Sequence, residues 1–120
     1  MSELQEAGIT PGFTVAGNVQ LVLRESLLPR VLDMGARTIE QSLLLFGGLW
    51  GPFCLECVID RDLNIYVFEI SARIVAGTNL YTQGSPYSYL QYGPGMSMGR
   101  RIAMEIRKAI EQDKLDKVIS

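Results

Sequence analysis

Two strand-like runs, separated by only four residues, constrain this chain more than any other feature. Phe53–Asp60 and Ile65–Arg73 are rich in Ile, Val, Phe and Tyr, and Arg61-Asp62-Leu63-Asn64 between them suits a turn. A hairpin closed this way sets Ile59 opposite Tyr66, Cys57 opposite Phe68, Leu55 opposite Ile70 and Phe53 opposite Ala72. That face is apolar throughout, as a core face should be. A two-residue turn at Asp62-Leu63 predicts the same register. The other face pairs Val58 with Val67, Glu56 with Glu69 and Cys54 with Ser71, and Arg73 projects one step beyond.

Glu56 and Glu69 therefore stand directly across from each other, their Cβ atoms about 5 Å apart. Like charges so placed repel. Three readings of the residues remain open. A divalent cation between the carboxylates turns repulsion into attraction, since hard cations prefer oxygen ligands and magnesium uses one or two carboxylates plus phosphates and water. A solvated sheet face with Arg73 neutralising the pair is the plainer reading. A pair sharing one proton is the third, and no partner nucleophile is visible for it.

The remaining segments arrange themselves around the hairpin. Residues 1–18 are polar and turn-rich, and Val19–Arg24 reads as a short strand. Leu27-Leu28-Pro29 opens a helix whose Leu32, Gly35, Ala36, Ile39, Leu43 and Phe46 recur at helical spacing, and Gly47-Gly48 stops it. Residues 75–96 read as a long loop, either functional or a surface excursion. Ser97 caps a last helix with an apolar stripe of Met98, Ile102, Ile106, Ala109 and Ile110. Its Arg100, Arg101, Arg107 and Lys108 read as a solvated face. Leu115, Val118 and Ile119 in the tail form a docking patch. The expected fold is α+β, an antiparallel sheet with two packed helices.

Composition narrows the chemistry. The 120 residues suit one domain, and 48% hydrophobic content supports a core. The net charge is −2 and the pI about 5.1, which argues against nucleic acid and a polybasic membrane surface. The longest apolar runs fall far short of the roughly 20 residues a membrane helix needs. No secretory signal is visible at the start, so a cytoplasmic location is expected. The absence of His removes His-based acid–base chemistry, the Ser-His-Asp triad and His-ligated zinc. Cys54 and Cys57 form a C-x-x-C string. A redox pair needs a helix N-terminus and zinc needs a second ligand pair; on a strand, two reduced structural thiols are expected.

The string Phe68-Glu69-Ile70-Ser71-Ala72-Arg73-Ile74-Val75-Ala76-Gly77-Thr78-Asn79 resembles the terminal magnesium-binding segment of the ATP-grasp superfamily. Within it, the string is similar to the archaeal formate-dependent 5-formaminoimidazole-4-carboxamide ribonucleotide (FAICAR) synthetases. Gly17-Asn18-Val19, Arg24-Glu25-Ser26 and its flanks, Gly51–Glu56, Gly84–Ser88 and Met96–Ile102 share the likeness. Arg24-Glu25-Ser26 and the Glu-x-Ser-x-Arg string also resemble the formate-using glycinamide ribonucleotide transformylase of the superfamily. The resemblance implies that Glu56 and Glu69 bind Mg2+ bridging the phosphates of ATP. It implies that Arg73 neutralises charge on the transferring group, that Arg24 binds an anion beside it, and that Ser71, Thr78 and Asn79 serve the substrate. Ser71 stands where many relatives carry Asn. For Arg24 a surface pair with Glu25 stays open, and for Thr78 and Asn79 turn capping does.

The implied reaction phosphorylates formate to formyl phosphate, which the amine of aminoimidazole carboxamide ribonucleotide (AICAR) then attacks. No Gly-rich phosphate-binding loop with Lys is present, so the chain is expected to be the C-terminal part of an ATP-grasp enzyme over residues 1–120. It would be a split-gene subunit, a truncated product or a fragment, incomplete without the N-terminal substrate domain and lid. The competing expectations are a non-catalytic homo-oligomeric module, favoured by apolar surface left on a strand cut from its parent domain, and an unrelated small-molecule-binding domain.

Overall fold

A computed structural model of the chain describes residues 6–8, 10, 12 and 14–119. The element order is α1 (Leu28–Phe46), β1 (Cys54–Ile59), β2 (Ile65–Ser71), a 3-10 helix (Ala76–Tyr81), α2 (Pro86–Tyr92), α3 (Met98–Glu111) and a 3-10 turn (Leu115–Lys117). β1 and β2 form a two-stranded antiparallel sheet. The fold is α+β, as expected.

α1 carries Pro29 in its first turn, where the missing N–H costs nothing. It ends at Gly47, whose left-handed backbone (φ 87°) few other residues adopt cheaply. The buried Ser42 finishes the job: its hydroxyl donates to the Ile39 carbonyl at 2.7 Å and accepts from the Leu49 amide at 3.0 Å. Ser97 caps α3 through the Arg100 amide at 3.2 Å. The tail turns back on α3 through the Lys114 amide, which donates to the Ala109 carbonyl at 2.8 Å.

Three expectations need correction. Val19–Arg24 forms no strand; among the described residues it has no ladder partner, and an extended segment is a strand only when paired. It is held instead by side chains, the Leu23 amide donating to the Tyr87 hydroxyl at 2.9 Å and the Gln20 amide group to the Leu80 carbonyl. Residues 75–96 are not a loop, since α2 lies within them. Ser85 accepts from the Ser88 amide and Ser88 from the Ser85 amide, a reciprocal capping box with Pro86 in the first turn. α2 therefore adds a helix to the two expected.

The third correction concerns the core. Among the described residues Leu27, Met96 and Ala109 are the buried hydrophobic ones, while Phe68 and Ile70 on the expected core face are 65% and 52% exposed. α1 leaves Leu43, Leu44, Leu45 and Phe46 open to solvent as well. The radius of gyration is 17.8 Å, against roughly 14 Å for a compact chain of this length. The hydrophobic content is present but mostly unburied. No described helix is long and apolar enough to cross a membrane.

Candidate metal and substrate site

The hairpin reaches its carboxylate pair by a different route from the predicted one. The loop is three residues, Arg61-Asp62-Leu63, because the Asp60 amide donates to the Asn64 carbonyl at 3.0 Å and the Leu63 amide to the Asp60 carbonyl at 3.1 Å. Leu63 takes the left-handed conformation (φ 63°) that this loop class usually gives to glycine. Asp60 braces the turn by accepting from the Asn64 amide at 2.8 Å and from its side chain at 3.0 Å. These bonds hold its carboxyl below the ordinary range.

Near the turn, Ile59 faces Ile65, Val58 faces Tyr66 and Cys57 faces Val67. That is one residue out of step with the four-residue-turn register. A bulge at Phe68 then inserts an extra residue on β2, and beyond it Glu56 faces Glu69, Leu55 faces Ile70 and Cys54 faces Ser71. Without the bulge Glu56 would oppose Phe68. Bulges commonly re-aim side chains beside functional sites, and this one returns the two acids to opposite positions.

Ser71 joins them. It is buried (6% exposed), and its Oγ lies 3.0 Å from Glu69 Oε1 and 3.3 Å from Glu56 Oε1. Two carboxylates form an oxygen donor pair suited to a hard cation that keeps other positions for water or phosphate, and the Ser71 hydroxyl donates to them. No group of three or more His, Cys, Asp or Glu that could hold a metal ion exists among the described residues, so a cation here would draw further ligands from elsewhere. The residues fit magnesium.

Arg73 lies just past the end of β2, exposed, with its guanidinium donating to the Ile74 carbonyl at 3.2 Å. Its charge is felt at Cys54, where it lowers the thiol pKa against larger upward effects of burial, Glu56, Cys57 and Glu69; the net direction is up. Both cysteines are free, Cys54 half-buried and Cys57 exposed. Arg24 sits at the turn into α1, its carbonyl accepting from the Leu27 amide at 2.9 Å. It shares no hydrogen bond or ion pair with Glu56 or Glu69 among the described residues.

A cavity of about 620 Å³ has Cys54 in its wall and Asn18, Thr78, Ser85, Ser88, Gln91, Ser97 and Arg101 as polar lining; Glu56, Glu69 and Ser71 do not line it. Thr78 belongs to this cavity; the neighbouring Asn79 is exposed and does not line it. Gly84 is required at its floor, because at φ +96° a Cβ would come within 2.7 Å of the Met96 carbonyl oxygen. The sequence reading set Arg101 on a solvated face and did not single out Tyr92. Arg101 is not simply solvated: its guanidinium stacks over the Tyr92 ring at 4.7 Å from the centroid and pairs with Glu105. The spacing of the capped α2 could have pointed to Tyr92, had Gly84 and Gly93 not suggested a loop.

Comparison with known proteins follows the same lines. A family described as a domain of unknown function (DUF1297) matches residues 1–120. The chain is 63% identical over 108 residues to the 5-formaminoimidazole-4-carboxamide-1-(beta)-D-ribofuranosyl 5'-monophosphate synthetase of Pyrococcus abyssi, covering 90% of this chain and 32% of that protein. It is 59% identical over 118 residues to synthetase 1 of the same name from Methanosarcina mazei, covering 98% of this chain and 33% of that protein. The chain thus spans about a third of the length of these curated relatives. Among solved structures it is similar to an IMP biosynthesis protein, PurP, from Thermococcus kodakaraensis, with TM-score 0.71 and 36% identity over 93% of this chain and 36% of that one. The chain belongs to the DUF1297 family and is similar, over a third of their length, to archaeal FAICAR synthetases.

Proposed function

We propose that this chain supplies the metal-binding part of an ATP-grasp ligase that forms FAICAR from AICAR, formate and ATP in purine nucleotide biosynthesis, in the cytoplasm. The observation that carries the reading is the opposed Glu56–Glu69 pair with the Ser71 hydroxyl between them. The names of the relatives support the product.

Within this reading Glu56 and Glu69 hold Mg2+, which when bound draws negative charge from the ATP phosphates. Arg73, on the same sheet end, offsets charge on the group being transferred. Arg24 binds an anion in the assembled enzyme, and Thr78 contacts the nucleotide substrate in the cavity beside Cys54. Asn79 serves the substrate from the same 3-10 segment. Formate takes the γ-phosphoryl group of ATP, releasing ADP. The AICAR amine then attacks the formyl carbon, a C–N bond forms, phosphate leaves, and the amine proton passes to solvent. The protein's share is positioning and charge stabilisation.

The test is reconstitution. The chain is mixed with the other two-thirds of a relative and FAICAR is measured by chromatography. Magnesium-dependent product with the wild-type chain and none with E56Q/E69Q is expected; equal activity of the two overturns the reading. A second reading, a non-catalytic homo-oligomeric module, draws on the exposed apolar faces of α1 and β2. Sedimentation separates the two: a stable oligomer that excludes the added two-thirds favours the module.

A further inference from the structure

We infer that Ser71 is a positioning residue: its single hydroxyl proton, shared between Glu56 and Glu69, keeps the two carboxylates converged so that a divalent cation meets a preformed pair. This rests on the metal reading above and goes beyond it, because it assigns the hydroxyl to the carboxylates and not to the substrate.

Ser71 lies two positions after Glu69, so both side chains share one face of β2. Its direct partner is Cys54, two positions before Glu56, which makes Ser71 the diagonal neighbour of Glu56. The bulge at Phe68 lies on the far side of Glu69 and leaves this corner regular. The hydroxyl therefore reaches an oxygen of each acid, at 3.0 Å and 3.3 Å. A hydroxyl has one proton and donates to one carboxylate at a time. Both bonds converge on Oε1 atoms, so either donation draws a carboxylate inward against the repulsion of its partner. Ser71 is 6% exposed while Glu69 is open to solvent. The donor is thus held by packing and the acid is the solvent-facing member. Removing the hydroxyl frees Glu69 to turn outward, and an incoming cation must then gather the pair itself.

The experiment titrates the full 120-residue chain with Mn2+, a paramagnetic stand-in for magnesium, and follows broadening of the backbone amide signals around residues 56, 69 and 71. Four forms are compared: wild type, S71A, S71T and E56Q/E69Q. Cross-strand NOEs between Leu55 and Ile70 report whether the hairpin keeps its register. Wild type is expected to bind, S71A roughly tenfold more weakly with the register intact, S71T close to wild type, and E56Q/E69Q not at all. S71A binding as tightly as wild type overturns the positioning role and leaves the metal reading standing. S71T as weak as S71A also overturns it, by showing that side-chain fit and not the hydroxyl matters; this comparison holds even where S71A loosens the hairpin. Wild type and E56Q/E69Q broadening alike overturns the metal reading and the proposal with it.

Discussion

Residues 14–24 and the hairpin at 54–71 carry similar strand-forming sequence and meet different fates. Val19, Leu21 and Val22 are as β-prone as Val58, Val67 and Ile70, yet the first group lies extended without a ladder and is exposed. The hairpin forms because its partner strand is tethered by a three-residue loop, and closing so short a loop is entropically cheap. Residues 19–24 have no tethered partner, and the two side-chain bonds through Tyr87 and Gln20 fix their path and not their pairing. Strand propensity is a statement about a pair, and only one of these segments brings its own.

The comparison has consequences that differ in size. If the hairpin carries the chemistry, E56Q/E69Q in the reassembled enzyme lowers FAICAR formation by about 10²–10³-fold. Alanine at Val19 or Leu21 leaves the rate nearly unchanged; an equal loss from both regions erases the distinction. Amide hydrogen exchange in the chain alone should be at least about tenfold slower across β1 and β2 than across residues 19–24, equivalent to some 1.4 kcal/mol. Exchange of both segments at the same rate would show that the short tether gives no advantage.

Finer tests lie in the turn. Leu63→Gly relieves a left-handed residue and should stabilise the hairpin by up to about 1 kcal/mol, measured by urea denaturation. No gain would mean that the bond from Arg30 to the Leu63 carbonyl at 3.0 Å already offsets the strain. The smallest effect follows pH. Asp60 has its folded pKa lowered by Asn64 and Tyr66, so the folded state binds its proton less readily than the unfolded one. Its stabilising contribution is present above the ordinary Asp pKa and fades as pH falls through the lowered folded value. An acid titration of the hairpin signal should show this fade, and Asp60→Asn should flatten it.

Much of the site was legible in advance because antiparallel pairing is arithmetic. Glu56 opposite Glu69, Leu55 opposite Ile70 and Cys54 opposite Ser71 follow from the two runs. The agreement hides two deviations that cancel. The loop is one residue shorter than predicted, and the bulge at Phe68 restores the step. Neither leaves a strong mark in the sequence, since Leu63 stands where glycine would announce the turn. α2 was hidden for a similar reason: flanking glycines suggested a loop, and the Ser85–Ser88 box is a weaker cue than the apolar periodicity of a longer helix.

The sequence by itself determined the local elements, α1 from its period and its Gly47 stop, α3 from its Ser97 cap, and the antiparallel pairing that opposes two acids. These depend on interactions a few residues apart, which residue order dictates. Tertiary structure alone decided that Ser71 bridges the acids, that Arg101 stacks on Tyr92 beside the cavity, and that Val19–Arg24 stays unpaired. It also decided that the apolar faces of α1 and β2 remain open to solvent. Those outcomes depend on what packs against each surface, and an apolar stripe specifies only that a partner is favoured, not which surface supplies it.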